Sequence, residues 1–443
     1  MQHFRHVKLE RLSCGVMVAS ALAAVMIVTT FGVRVGAQAQ AITPQNIMAP
    51  NIIDLNSTAM GSPGAAADLC GIEPPAAGRG GAEGQAAGAG RGALPIYPWR
   101  EYPVTLPAVS MMGARNDLPN PYRLGVHWGK LPGDRKWGST AGVVGVPDGT
   151  IWAIDRCGNA GAGGATCADS PLDPILHFDQ SGKLLGSMGK GTIVAPHKLS
   201  VDREGNVWIA DNGSAPNRGN VVLKYSPDGK LLMTLGTPGK VGTGPNEFDR
   251  PTQVAVAPNG DIFVADGHSG GGQSIGNARI MKYDKTGKFI KEIGKKGMGP
   301  VEFDVIHDIV FDPQGRLLVA DRQNNRIQII DQDGKFIAEW KQFSRPSGIA
   351  IVGDTIVVTD SESRDGRSNT GQNNLSGSAY MYNLGARRGI RVGSLRTGQV
   401  TAFIPDPCPY PYYGPGWEGV GVDTQGNIYA ADYMGTIRKF VKK

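Results

Sequence analysis

Between residues 138 and 443 the chain repeats one short phrase six times, and that repetition restricts the fold more than any other feature. Residues 196–211 read Pro-His-Lys-Leu-Ser-Val-Asp-Arg-Glu-Gly-Asn-Val-Trp-Ile-Ala-Asp. Residues 306–321 read Ile-His-Asp-Ile-Val-Phe-Asp-Pro-Gln-Gly-Arg-Leu-Leu-Val-Ala-Asp. Further copies occupy 141–155, 252–266, 347–360 and 418–432. Each is an apolar run, a tight turn containing glycine, and a second apolar run that closes on an aspartate: Asp155, Asp211, Asp266, Asp321, Asp360 or Asp432. Two strands joined by such a turn form a hairpin. A second hairpin follows, as in 222–233, 280–290 and 327–337, where apolar and polar residues alternate as in half-buried outer strands.

Four strands per unit, six units and no long helical pattern predict an all-β fold, a six-bladed β-propeller. The last unit is one strand short, because only 433–443 follow Asp432, with a single strand's worth of sequence from Thr436. Residues 122–129 are expected to supply the missing outermost strand. That strand would close the ring between the two ends and leave no open sheet edge.

The remainder of the chain divides by composition. Residues 1–41 read as a signal peptide: Arg5, Lys8 and Arg11 precede an uncharged run, and small residues near 37–41 offer a cleavage site. The run is also long enough for an uncleaved membrane anchor. Residues 42–95 are a flexible linker rich in Ala, Gly and Pro, which cannot bury a core. Residues 96–137 are an extension that includes the closing strand, and 138–443 are the propeller. The protein is expected to be exported, periplasmic or extracellular, with no stable membrane insertion after cleavage, and monomeric.

The net charge is +6. Loss of residues 1–41 removes four basic residues (Arg5, Lys8, Arg11, Arg34) and Glu10, leaving +3. No basic block interleaved with aromatics is present, which argues against nucleic acid as a partner. Beyond residue 41 the chain keeps four cysteines, an even number that suits disulfides in an exported protein. Cys157 pairs with Cys167 across a Gly-rich loop in this reading, and Cys70 with Cys408.

In a propeller, the start of each innermost strand and the residues just after each closing aspartate crowd one rim around the axis. The first set is Ala141, His197, Thr252, His307, Ser347 and Glu418; the second includes Arg156, His268, Arg322 and Tyr433. His197, His307 and Glu418 make a plausible ligand set for zinc or iron. Arg156 and Arg322 are suited to clamp a carboxylate, so the expected ligand is a small anionic or peptide-like molecule.

These phrases resemble NHL repeats, as do 244–249 (Gly-Pro-Asn-Glu-Phe-Asp), 299–304 (Gly-Pro-Val-Glu-Phe-Asp) and 320–328 (Ala-Asp-Arg-Gln-Asn-Asn-Arg-Ile-Gln). The Pro-His-x-Leu-Ser-x-Asp phrase and the Ala-Asp-Arg-x-Asn-x-Arg-Ile-Gln phrase further resemble the peptidyl-α-hydroxyglycine α-amidating lyases. That resemblance implies a zinc held by histidines, among them His197 and His307, with Arg156 and Arg322 at the substrate and a calcium nearby. Glu418 stands at the position of the family's third histidine, and His268 at that of its catalytic tyrosine. Gly419 replaces an aspartate that helps to bind the calcium. By this analogy His268 is the general base, and the reaction splits the C–N bond of a carbinolamide into an amide and glyoxylate. A non-catalytic periplasmic propeller that binds a ligand or protein is the alternative, and a lactonase-like hydrolase the third reading.

Overall fold

The computed structural model describes residues 113–443, apart from 159–165, 269–275, 364–382, 384, 408–415 and 434. The signal and linker assignments, Cys70, Cys408 and their pairing lie outside the described residues. Among the described residues no helix is long and apolar enough to cross a membrane.

Six four-stranded antiparallel sheets follow one another along the chain. The innermost strands begin the blades: Val143–Gly145, Pro196–Val201, Pro251–Val256, Ile306–Phe311, Gly348–Val352 and Trp417–Val422. The second strands are buried along their length, as in Ile262–Asp266 and Leu317–Asp321. The outermost strands are the most exposed, and Phe336–Trp340 alternates half-buried and exposed side chains. Apolar clusters fill the wedges between blades. One joins Phe263, Ile280 and Phe303 of the third unit to Ile306, Leu317 and Ile330 of the fourth. Each wedge is thus sealed by residues of two neighbouring repeats, so no unit is stable alone.

The ring closes as the sequence leads one to expect. Tyr122–Trp128 pairs antiparallel with Thr436–Lys442, at the outer edge of the sheet formed by Trp417–Val422 and Ile428–Asp432. Trp128 sits at 4.8 Å from the Tyr429 ring in the last blade and at 5.2 Å from the Phe178 ring in the first. Its indole N–H donates to the Gln180 carbonyl at 3.2 Å. One side chain therefore bolts the first blade to the last. The Cys157–Cys167 disulfide is formed, and it pins the loop after the second strand of the first blade.

Trp128→Ala should open this seam. Deletion of a buried tryptophan side chain costs about 3–5 kcal/mol. A loss of that size in urea denaturation is expected, with a smaller effect from Trp340→Ala, which is only half-buried on the flank of its cluster.

Candidate functional site

Four of the six innermost strands carry a β-bulge at the same place. Pro196 pairs with Asp211 and Lys198 with Ala210, so His197 is left out of the ladder. The same slip skips Thr252, His307 and Glu418. A bulge frees one residue from the pleat and re-aims its side chain. Here the freed residues are those that line the propeller axis.

His197 and His307 are fully buried. The Nδ1–H of His197 donates to the Thr252 carbonyl at 2.8 Å, and that of His307 to the Ser347 carbonyl at 2.7 Å. A carbonyl only accepts, so Nδ1 carries the proton in both rings and Nε2 presents a lone pair. Both Nε2 atoms are buried with no hydrogen-bond partner.

His268 joins them from the third blade. It follows Gly267, whose φ is +123° and where a Cβ would lie 1.5 Å from the Asn277 carbonyl oxygen, so only glycine fits. The turn lets the His268 N–H donate to the Arg250 carbonyl at 3.2 Å. Its ring centroid is 5.0 Å from that of His197 and 5.3 Å from that of His307. His268 Nδ1 is likewise buried and unpartnered. One nitrogen from each ring lies within 4.8 Å of the others. The two Nε2 lone pairs of His197 and His307, buried without partners, are costly unless something electrophilic sits beside them.

Glu418 stands apart from this trio. Its carboxylate lies 3.8 Å from an Nη of Arg322, which in turn is 3.8 Å from Glu362. Arg322 leads a 3-10 turn, Arg322–Asn324, and its Nε is buried without a partner. Arg156, also buried, donates its Nε–H to the Pro196 carbonyl at 3.1 Å and packs 5.6 Å over the Tyr433 ring. No other side-chain hydrogen bond of Arg156 is formed among the described residues, which leaves its terminal nitrogens for a ligand. The predicted set therefore splits: His197, His307 and His268 converge, while Glu418, Arg156 and Arg322 flank them.

Glu362 and Arg345 escaped the sequence reading. Arg345 holds Glu362 by its Nε at 3.0 Å and an Nη at 2.7 Å. Burial opposes ionisation of Glu362, yet Arg322 and Arg345 bring its carboxyl down to about 2. The only signal was position, two residues beyond the closing Asp360, on a rim already rich in charge. Glu418 differs. Burial raises its pKa, and Arg322 and Arg156 counter that only in part. Burial likewise holds the His197 and His307 imidazoles far below their ordinary value, with His268 among the opposing charges at the first and Arg322 at the second. Burial, Arg322 and Arg156 push His268 down to about 3.

One side-chain ligand of the calcium implied by the resemblance is missing here. At Gly419 a Cβ would meet the Ala141 carbonyl oxygen at 2.2 Å, so no side chain can return there.

A family described as a 6-bladed beta-propeller matches residues 275–342. The chain is 37% identical over 179 residues to mouse peptidyl-glycine alpha-amidating monooxygenase, covering 39% of this chain and 17% of that protein. It is 36% identical over 175 residues to peptidyl-alpha-hydroxyglycine alpha-amidating lyase 1 of Drosophila melanogaster, covering 36% and 30%. To mouse NHL repeat-containing protein 3 it is 37% identical over 186 residues, covering 41% and 52%. The chain thus spans from about a sixth to about half of these relatives. Among solved structures, a streptogramin B lyase covers 73% of this chain at 18% identity and a TM-score of 0.43.

The neutral imidazoles have a consequence in acid. Unfolded histidines titrate near 6.5. For His268, between about pH 6.5 and about 3, the unfolded chain binds a proton that the fold refuses. Stability of the metal-free protein therefore falls as pH falls through this window, by up to ~1.4 kcal/mol per pH unit for each such histidine. Denaturation at pH 7, 6 and 5 should show this slope, and His268→Gln should make it shallower by one histidine's share, with His197 and His307 keeping the rest.

Proposed function

We propose that the protein is an exported lyase of the α-hydroxyglycine amidating kind, with a divalent metal held by His197, His268 and His307. The observation that carries this reading is the meeting of three histidines on the axis, one ring nitrogen of each within 4.8 Å of the others, with the Nε2 atoms of His197 and His307 buried and unpartnered. Nitrogen-only donors suit zinc, and iron less well. The partial identity to the amidating enzymes supports the reaction class. The Cys157–Cys167 disulfide supports an oxidising compartment.

In this reading His268 and Glu418 exchange the roles that the sequence pattern implied for them. His268 is the third ligand, and Glu418 moves the proton. An α-hydroxyglycine unit is a carbinolamide whose central carbon bears a hydroxyl, an amide nitrogen and a carboxylate. When the C–N bond breaks, the hydroxyl loses its proton, the C–O bond becomes the aldehyde of glyoxylate, and the amide nitrogen takes up a proton. A bound metal would supply Lewis-acid polarisation of the hydroxyl oxygen. Arg156 receives the substrate carboxylate with its terminal N–H groups. Glu418, its pKa raised by burial and shared between Arg322 and Arg156, accepts the hydroxyl proton and returns one to nitrogen. Arg322 keeps Glu418 oriented, itself balanced by Glu362.

The test combines metal analysis with an assay on a synthetic α-hydroxyglycine amide, reading glyoxylate release. One equivalent of zinc is expected in the wild type, lost in His197→Ala, His268→Ala and His307→Ala. Glu418→Gln should keep the zinc and lose turnover by about 10²-fold or more. Arg156→Met should raise KM for the carboxylate substrate by about 10–100-fold, the worth of a charge-assisted pair. Zinc kept by His268→Ala but lost by Glu418→Gln would return the two residues to their other assignment. A wild-type protein that binds no metal and releases no glyoxylate would leave a ligand-binding propeller.

A further inference from the structure

One residue beyond the axial histidines, the innermost strands carry a second ring: Gly142, Lys198, Gln253, Asp308, Gly348 and Gly419. Three positions are glycine and three bear polar side chains that meet in the middle. Lys198 is 2% exposed and reaches across the axis. Its Nζ donates to the Glu418 carbonyl at 2.7 Å and to the Ala141 carbonyl at 3.2 Å, and lies 3.7 Å from the Asp308 carboxylate. Asp308 accepts from Gln253 Nε2 at 3.0 Å and from the Ile349 backbone N–H at 2.9 Å. Ala141, Lys198, Gln253, Asp308, Ile349 and Glu418 belong to six different blades. A single ammonium–carboxylate pair, 3.7 Å apart, thus touches the innermost strand of every blade.

Two carbonyl oxygens and a carboxylate around a buried point are the donors a hard divalent cation selects. An ammonium has three protons for three acceptors and no lone pair, so these acceptors suit it equally. The glycines keep the point reachable. A Cβ at Gly348 would come 3.0 Å from the Glu418 oxygen that Lys198 uses, and one at Gly419 would press on the Ala141 oxygen.

We propose that the Lys198 ammonium is a covalently tethered cation that fills a divalent-ion site on the propeller axis and ties the six blades together. The axis then needs no calcium. Removal of the side chain leaves Asp308, the Ala141 and Glu418 carbonyls and open space, which is a site that calcium can enter. This assignment stands apart from the lyase reading, since Lys198 and Asp308 take no part in binding substrate or in the proton transfers.

The experiment is thermal melting of the mature chain, first stripped of metal by a chelator, then measured with and without added calcium chloride. The wild type should melt at the same temperature in both. Lys198→Ala should melt several degrees lower without calcium and recover at least half of that loss when calcium is added. Lys198→Ala/Asp308→Ala should show no recovery, because the carboxylate is gone. Calcium that stabilises the wild type, or that co-purifies with it, would overturn the proposal. So would a Lys198→Ala variant that melts like the wild type or ignores calcium. Should Lys198→Ala fail to fold, the comparison is made with Lys198→Met, which keeps the bulk and removes the charge; a wild-type melting temperature there would overturn it as well.

Discussion

The structure depends on a buried carboxylate that recurs once per blade. In the first five phrases the closing aspartate reaches back to the linker that enters its own innermost strand. Asp211 accepts from the Val194 and Ala195 N–H groups at 2.8 and 2.7 Å. Asp266 accepts from Asp249 at 2.6 Å, Asp321 from Asp304 at 2.7 Å, and Asp360 from Arg345 at 3.3 Å. Asp155 does the same for Gly138. Burial raises the pKa of Asp155, Asp211, Asp266 and Asp321, and for Asp266 to about 6. Charge-assisted bonds from fixed N–H groups offset much of that cost. The entry point of each of these five innermost strands is thereby set against the exit of the second. The bulges that free His197, Thr252 and His307 lie just beyond these anchors.

From that frame the axis is layered by charge. The histidine layer is neutral, and positive groups surround it: Arg156 and Arg322 beside the rings, Lys198 in the next layer. Such surroundings favour imidazoles that donate lone pairs rather than carry protons. Around them the arginines are balanced from within. Arg322 faces Glu418 and Glu362, and Glu362 is held in turn by Arg345. A buried arginine so flanked is a positioning element. Arg156, with terminal nitrogens unclaimed among the described residues, is the better anchor for an incoming anion. Two arginines that look equivalent in the sequence are therefore unequal in the fold.

Much of the fold was legible in the amino-acid sequence because it is written six times. A repeated hairpin with a period near the length of one blade admits few closed arrangements, and the short last unit called for a strand from elsewhere, which Tyr122–Trp128 supplies. The pairing of Cys157 with Cys167 was equally readable, since both cysteines flank one short loop. The axial position of His197 and His307 followed from their shared place in the phrase.

What the sequence could not convey is anything that depends on which way a side chain is aimed across the axis. The order of residues places Glu418 and His197 at equivalent points of their repeats. It does not reveal that His268, from a rim turn built on Gly267, completes the trio while Glu418 bends to Arg322. Nor does it show that Lys198, one residue past a histidine, spans to the first, fourth and sixth blades. Local patterns fix strands and turns, because these arise between near neighbours in the chain. Contacts on the axis join residues up to 220 positions apart, as Lys198 and Glu418 are. Their partners are chosen by ring closure, bulge geometry and the space that glycines leave, and only the folded propeller decides those.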